Sequence, residues 1–153
     1  MNGLKDRLRD DLTDAMRARD AIAVATLRLA LAAVMKSEVA GSEAVALDDA
    51  AIMGLLATEI RKRTEAADLY DQGGRAELAT KERAEADVLA RYLPVALDDA
   101  ALDAVVAEEV ANAAAAGASG GKAMGAVIKA VRDRVGQQAD GARIAAAVKS
   151  ALT

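Results

Sequence analysis

The sequence predicts an all-α protein of about seven helices, and three observations support this prediction. Alanine is in large excess, together with leucine, glutamate, lysine and arginine, and these residues favour helix. Runs in which apolar and polar residues alternate, the pattern of a half-buried strand, are missing. Only one proline occurs, and apolar residues recur at helical spacing between glycines and aspartates.

Four helices are predicted before Pro94, over about residues 4–18, 20–39, 48–70 and 75–93. In the first, the apolar stripe consists of Leu4, Leu8, Leu12 and Met16. Asp20 and either Asp48 or Asp49 are suited to cap the second and third helices, because a short side-chain oxygen can accept from a free backbone N–H. Pro94 ends the fourth helix, since proline cannot continue one.

Three further helices are predicted after Pro94. Asp98 or Asp99, Ser119 and Asp140 are the expected caps, residues 117–121 form a loop, and Gly136 breaks the chain. The sequence therefore predicts two domains, an N-terminal four-helix domain over 1–93 and a C-terminal three-helix bundle over 94–153.

Charge is distributed unevenly along the chain. The net charge is −4 and the sequence pI is about 4.9. Residues 94–116 carry five acidic side chains and no basic one, whereas residues 117–153 carry six basic against two acidic, a net charge of +4. An acidic protein with a basic tail can meet nucleic acid locally, although its total charge gives no steering toward phosphate.

The absent residue types exclude many kinds of site. The chain has no histidine and no cysteine, which excludes a serine–histidine pair, a thiolate nucleophile and histidine or thiolate metal ligands. It has no tryptophan or phenylalanine and only two tyrosines, so no platform for stacking single-stranded RNA bases is expected. We therefore expect no catalytic residues, no metal and no cofactor, and the protein is more readily interpreted as a binding protein than as an enzyme.

The location is expected to be the cytoplasm. The absence of cysteine fits a reducing compartment, and the charged N-terminus does not resemble a signal peptide. The most apolar stretch, residues 21–35, is about fifteen residues long and contains Arg28. Because a membrane span needs ~20 apolar residues, we expect a soluble protein with no membrane contact.

Three local clusters have both a structural and a functional interpretation. The run Arg61-Lys62-Arg63 is interpreted first as a solvated face paired with Glu59 and Glu65, because successive helical residues point about 100° apart. Glu82 and Glu85 share a helix face, but a two-metal bundle also requires histidines. The segment Gly120-Gly121-Lys122 could contact an anion weakly at a helix start, although the full phosphate-loop spacing is absent.

Several segments, in order, resemble one protein family. The N-terminal portion contributes Leu12 to Asp20, Thr26-Leu27-Arg28, Glu59 to Arg63, Gly73-Gly74-Arg75, Glu77-Leu78-Ala79, Lys81-Glu82, Ala84-Glu85 and Tyr92-Leu93-Pro94. The C-terminal portion contributes Met124 to Val127, Ala139-Asp140-Gly141 and Val148-Lys149. Together they resemble the GatB/YqeY family over nearly the whole chain. In one place the pattern differs, since Gln137 and Gln138 stand where the family usually has a basic residue.

The resemblance implies a fold and a biological setting. It implies two helical portions and a link to tRNA, because the shared region also forms the tail of the B subunit of glutamine-dependent tRNA amidotransferases, where it helps hold tRNA. It does not imply catalysis, since the catalytic regions of those enzymes have no counterpart here.

The leading functional hypothesis is a non-catalytic helical adaptor that binds tRNA or a tRNA-processing protein complex through its C-terminal portion. The candidate nucleic-acid-binding residues are its six cations: Lys122, Lys129, Arg132, Arg134, Arg143 and Lys149. Two alternatives stay open: a protein-interaction module without RNA binding, and an accessory component of a carbon–nitrogen ligase that uses glutamine as amido-nitrogen donor. The sequence makes no prediction of the oligomeric state.

Overall fold

The computed structural model describes residues 3–153, which form seven α-helices and no β-strand. The predicted all-α fold is therefore confirmed. The helices are α1 Leu4–Ala18, α2 Ala21–Glu38, α3 Asp49–Gln72, α4 Ala76–Ala90, α5 Asp99–Ala115, α6 Met124–Val135 and α7 Gly141–Leu152. Two short 3-10 helices, Gly120–Ala123 and Gly136–Gln138, precede and follow α6. Residue contacts divide the chain into two compact units, Met1–Leu93 and Pro94–Thr153, called here the N-terminal and C-terminal units.

Aspartate caps set where four of the helices begin. The side chains of Asp20, Asp48, Asp98 and Asp140 each accept a hydrogen bond from the backbone N–H three residues ahead, at 3.1, 2.8, 2.7 and 2.8 Å. Each bond satisfies one of the donors that a helix leaves unpaired at its start. The predicted cap at Ser119 is wrong: its side chain makes no capping bond, and a 3-10 turn separates it from α6.

The N-terminal unit packs α1, α2, α3 and α4 around one apolar core. Among its fully buried side chains are Leu8, Val34, Ile52, Leu56 and Leu89. The predicted α1 stripe is wrong at its end, because Met16 is 44% exposed whereas Ala15 is buried. A repeat of four residues drifts 40° per step around a helix, so Met16 lies far from the direction of Leu4 whereas Ala15 returns to it.

Two carboxylates connect separate elements of the N-terminal unit. Asp49 Oδ1 accepts from the backbone N–H of Leu4 at 2.9 Å, and so the first residue of α3 caps the start of α1. Glu38, at the end of α2, accepts from Lys5 Nζ at 2.6 Å and from the backbone N–H of Leu47 at 3.2 Å. These hydrogen bonds, that from Lys5 first, lower the pKa of Glu38. The loop between α2 and α3 is thereby tied to α1.

The C-terminal unit packs α5, α6 and α7 around a second core. Its largest fully buried side chains are Val106, Val127, Val131, Ile144 and Val148. The segment before α5 is tied to the turn after α6, since the backbone N–H of Leu97 donates to the carbonyl of Gln138 at 2.8 Å. Within residues 3–153, none of the helices combines the length and the apolar character needed to cross a bilayer.

Candidate nucleic-acid interface

The buried stripe of α6 decides where its basic residues point. Val127, Val131 and Val135 face the core, which turns Lys129 and Arg132 outward, about 60° apart around the helix axis. Arg134 lies more than 90° from both, on the opposite flank of the helix. The three cations of α6 therefore do not share one surface.

Two of the six candidate cations are paired with the acidic helix α5. Arg134 Nη1 lies 2.8 Å from Glu108 Oε2 and 3.0 Å from Glu109 Oε1, and these hydrogen bonds raise the pKa of Arg134. Arg143 Nη2 lies 2.9 Å from Asp99 Oδ1. It also donates to the carbonyl of Leu97 at 3.0 Å. These two arginines compensate half of the charge of the four carboxylates of α5.

Lys129 has a carboxylate partner on its own helix. Its Nζ lies 2.9 Å from Asp133 Oδ2, one turn further along α6, and this hydrogen bond raises the pKa of Lys129. Both side chains are well exposed, and exposed pairs of this kind are weak and screened by salt. Lys129 can therefore exchange Asp133 for another anion at little cost.

Three of the candidate cations have no carboxylate partner. Lys122, Arg132 and Lys149 are exposed, and no carboxylate of residues 3–153 lies within 4.0 Å of their side-chain nitrogens. Arg132 extends toward the start of α7, where a Cβ built on Gly141 would lie 3.4 Å from its Nη2. Lys122 stands in the 3-10 turn before α6, so the predicted anion contact at a helix start would form on a short turn instead.

The orientation of these side chains separates the cations into two groups. Arg134 and Arg143 turn toward α5, and Lys129 and Arg132 turn away from it on the outer side of α6. On α7, Ile144 and Val148 face the core, and Lys149 lies about 120° from Arg143 around the helix axis. We call Lys122, Lys129, Arg132 and Lys149 the outer cations.

Gln138, which stands in the segment where the family usually has a basic residue, has a structural role here. Its carbonyl accepts from Leu97, and its Nε2 donates to the carbonyl of Val95 at 3.4 Å. Both bonds fasten the segment that begins at Pro94 to the turn before α7. The amide therefore serves the packing of the C-terminal unit.

The interpretation of Arg61-Lys62-Arg63 as a solvated face is wrong for Arg63. This arginine is buried, and its guanidinium bonds Glu59 Oε2 at 2.9 Å and Glu85 Oε2 at 3.3 Å. Lys81 Nζ lies 3.7 Å from the other oxygen of Glu85. The carboxylate of Glu85, considered above as a metal ligand, is thus engaged by two cations.

The periodicity of α3 contains a signal for the buried arginine. Arg63 follows Ile52 by eleven residues and Leu56 by seven, which places it about 20° from each of these core positions. Glu85 is buried on the neighbouring helix α4. An arginine on one apolar stripe and a glutamate on the next could have been recognised as a buried pair.

The second tyrosine lines a cavity of the N-terminal unit. Tyr92 Oη donates to Asp11 Oδ2 at 2.5 Å, and the Arg7 guanidinium lies 4.8 Å above the ring centroid. Burial and then the bond to Asp11 raise the pKa of the phenol above its ordinary range. The cavity, about 360 Å³ in volume, is also lined by Asp14 and Arg91. The sequence pattern did not predict this polar lining.

Fold and site together define an all-helical protein whose C-terminal unit exposes four cations that are not bonded to α5. The chain belongs to the YqeY family, whose model, described as Yqey-like protein, matches residues 5–152. The family suggested by the sequence segments is therefore confirmed. No curated protein sequence matches the chain.

Proposed function

We propose that this protein is a non-catalytic helical adaptor that contacts the phosphate backbone of tRNA through its outer cations. The proposal rests on one observation, that the six basic side chains divide into those bonded to carboxylates of α5 and those that are not. Arg134 and Arg143 are bonded to α5, whereas Lys122, Arg132 and Lys149 have no carboxylate partner in the described part of the chain. Exposed cations without partners are the groups that neutralise phosphates and release counterions.

The charge on α5 would oppose RNA if it were uncompensated. Arg134 and Arg143 pair with Glu108, Glu109 and Asp99, and this pairing supports a local cationic surface on an acidic protein. Contacts of this kind position a nucleic acid without selecting its sequence. The choice of tRNA rests on the likeness of the family's shared region to the tail of the amidotransferase B subunit.

Charge-matched double variants test the proposal. Lys129→Gln with Arg132→Gln removes two outer cations, and Arg61→Gln with Lys62→Gln removes the same charge from the exposed surface of α3. Binding of purified tRNA, followed by fluorescence anisotropy at low salt, should weaken strongly in the first variant and little in the second. Equal weakening in both variants would show that net charge alone, and not the position of the cations, controls binding. No binding by the wild type would exclude the proposal.

A protein-interaction module that does not bind RNA is the second candidate. The acidic pI of about 4.9 favours it, and so does the internal neutralisation of Arg134 and Arg143, which leaves fewer cations for phosphate. The same tRNA titration distinguishes the two candidates, since a module of this kind would show no salt-dependent binding.

A further inference from the structure

The outer face of α2 is apolar and exposed. On the inner face, Ala23, Leu27, Ala30 and Val34 pack into the core of the N-terminal unit. On the outer face, Ile22 is 38% exposed and Leu29 is 58% exposed. Clustered exposed apolar side chains commonly mark an interaction surface.

The outer face has a regular alternation of large and small residues. Positions 22, 25, 29, 32 and 36 are separated by three and four residues, the spacing of a helix–helix seam. They are occupied by Ile22, Ala25, Leu29, Ala32 and Lys36. Arg28 stays outside this seam, since its Nη2 is drawn toward α1, 3.6 Å from Met16 Sδ.

We propose that this seam binds the same seam of a second copy of the chain, as an antiparallel α2–α2 pair about a two-fold axis level with Leu27. This pairing sets Ile22 opposite Ala32 of the second copy and Ala25 opposite Leu29, so every layer joins one large and one small side chain. Such layers fill space at close helix separation. A parallel pair in register would set large against large and small against small, leaving voids in alternate layers.

Charge supports the same arrangement. Lys36 continues the seam and has no carboxylate of residues 3–153 within 4.0 Å of its ammonium. In the antiparallel pair its level along the axis lies two residue rises, about 3 Å, beyond Asp20, the N-cap of α2 in the second copy. Asp20 is exposed at the start of α2, so both ends of the seam bring opposite charges together.

The first test is self-association of the full chain. α2 is about 27 Å long, and a single helix face is small for a stable interface. We therefore expect a dimer with a dissociation constant on the order of tens of micromolar in sedimentation equilibrium. Leu29→Glu should raise that constant roughly 100-fold or more, because each dimer loses two buried leucines and gains two unpaired charges.

Leu69→Glu is the matched control. Leu69 is 66% exposed on α3 of the same unit, so this variant introduces the same charge outside the seam and should dimerise like the wild type. A wild type that stays monomeric up to roughly 1 mM, or equal effects of the two variants, would overturn the proposal and leave the face to another partner.

The second test fixes the register. The chain has no cysteine, so a short thiol-specific crosslinker reacts only with introduced residues. A mixture of Ile22→Cys and Ala32→Cys should crosslink as a heterodimer. Either variant alone should not, because like positions are ten residues out of register, roughly 15 Å along the axis. Self-crosslinking as fast as in the mixture would contradict this register. The proposal concerns the N-terminal unit and does not depend on the proposed tRNA contact.

Discussion

The Nε atom of Arg63 lies 3.3 Å from Oε2 of Glu85, and this pair joins α3 to α4 inside the N-terminal unit. Both residues are only 8% exposed. Glu59 bonds the same guanidinium. Partial burial tends to raise the pKa of Glu59, but the hydrogen bonds from Arg63 and Lys62 together outweigh it and lower the pKa. A buried pair of this kind fixes how two helices meet more than it adds stability, because desolvation offsets much of the attraction.

Removing the arginine should be more damaging than neutralising the glutamate. Arg63→Met leaves Glu85 buried with only Lys81 nearby, and we expect the free energy of unfolding to fall by about 3–5 kcal/mol. Glu85→Gln keeps an acceptor for Arg63, which also retains Glu59, so we expect a loss of about 1–2 kcal/mol.

Urea unfolding followed by tyrosine fluorescence measures these losses, because both tyrosines, Tyr70 and Tyr92, lie in the N-terminal unit. Arg61→Met is the control, since Arg61 lies two positions before Arg63 on the same helix but is exposed. If Arg61→Met destabilised the unit as much as Arg63→Met, the buried pair would not be the cause.

Tyr92 should resist ionisation at alkaline pH. Burial and the hydrogen bond to Asp11 raise its pKa, so the folded state favours the protonated phenol. This contribution to stability is complete below the ordinary tyrosine pKa of about 10 and is lost as pH rises above it. Tyrosinate absorbance should therefore show one tyrosine that titrates later in the native protein than in urea.

Single phenylalanine variants assign that late titration. Tyr92→Phe should abolish it, and Tyr70→Phe should leave it unchanged. The bond to Asp11 would be excluded as a cause if Asp11→Asn left the native titration of Tyr92 unaltered.

The proposed tRNA contact has a defined salt dependence. Lys129→Gln with Arg132→Gln should flatten the slope of log K against log salt by about 1–2, since each lost phosphate contact removes about 0.7–0.9. The variant with Arg61→Gln and Lys62→Gln should keep nearly the wild-type slope. Equal melting temperatures for Lys129→Gln/Arg132→Gln and the wild type would confirm that the change acts on binding, because exposed charges contribute little to stability.

Limited proteolysis should cut first at residues 94–96. Val95 is 86% exposed and its carbonyl accepts only a long hydrogen bond of 3.4 Å from Gln138. Leu97 is held more tightly, through its backbone N–H to Gln138 at 2.8 Å and through its carbonyl to Arg143 at 3.0 Å. A protease of broad specificity is required, since no lysine or arginine lies between Pro94 and Gly121. The loop around Gly117 is the second expected site. First cleavage within residues 52–60 would contradict the proposed domains.

Much of the fold could be predicted because its signals are local. Asp20 and Asp140 were expected as caps, together with one of Asp48 and Asp49 and one of Asp98 and Asp99, and the capping bonds are made by Asp20, Asp48, Asp98 and Asp140. A cap depends on a side chain and a backbone only three residues apart. The prediction that Ser119 caps α6 is wrong because the chain forms a 3-10 turn after this residue. Nothing local in the sequence separates such a turn from the first turn of an α-helix.

The candidate site was harder to predict because a cation is available for binding only if no carboxylate nearby in the folded protein pairs with it. In the sequence, the six basic residues of the tail look equivalent. Packing makes them differ: Arg134 pairs with Glu108, 26 positions away in sequence, whereas Arg132 has no carboxylate partner in the described part of the chain. The same holds for Arg63 and Glu85, 22 positions apart.

By itself the sequence determined the helical class, the caps of four helices to within one residue, and the absence of histidine and cysteine chemistry. These properties depend on residue type and on spacing within a few positions, where backbone geometry is nearly fixed. Only the tertiary structure decided which cations are compensated, which arginine is buried, and which face of α2 stays uncovered. Those outcomes depend on contacts between elements distant in sequence, and the position of each element follows from how all the apolar stripes of its unit are buried together.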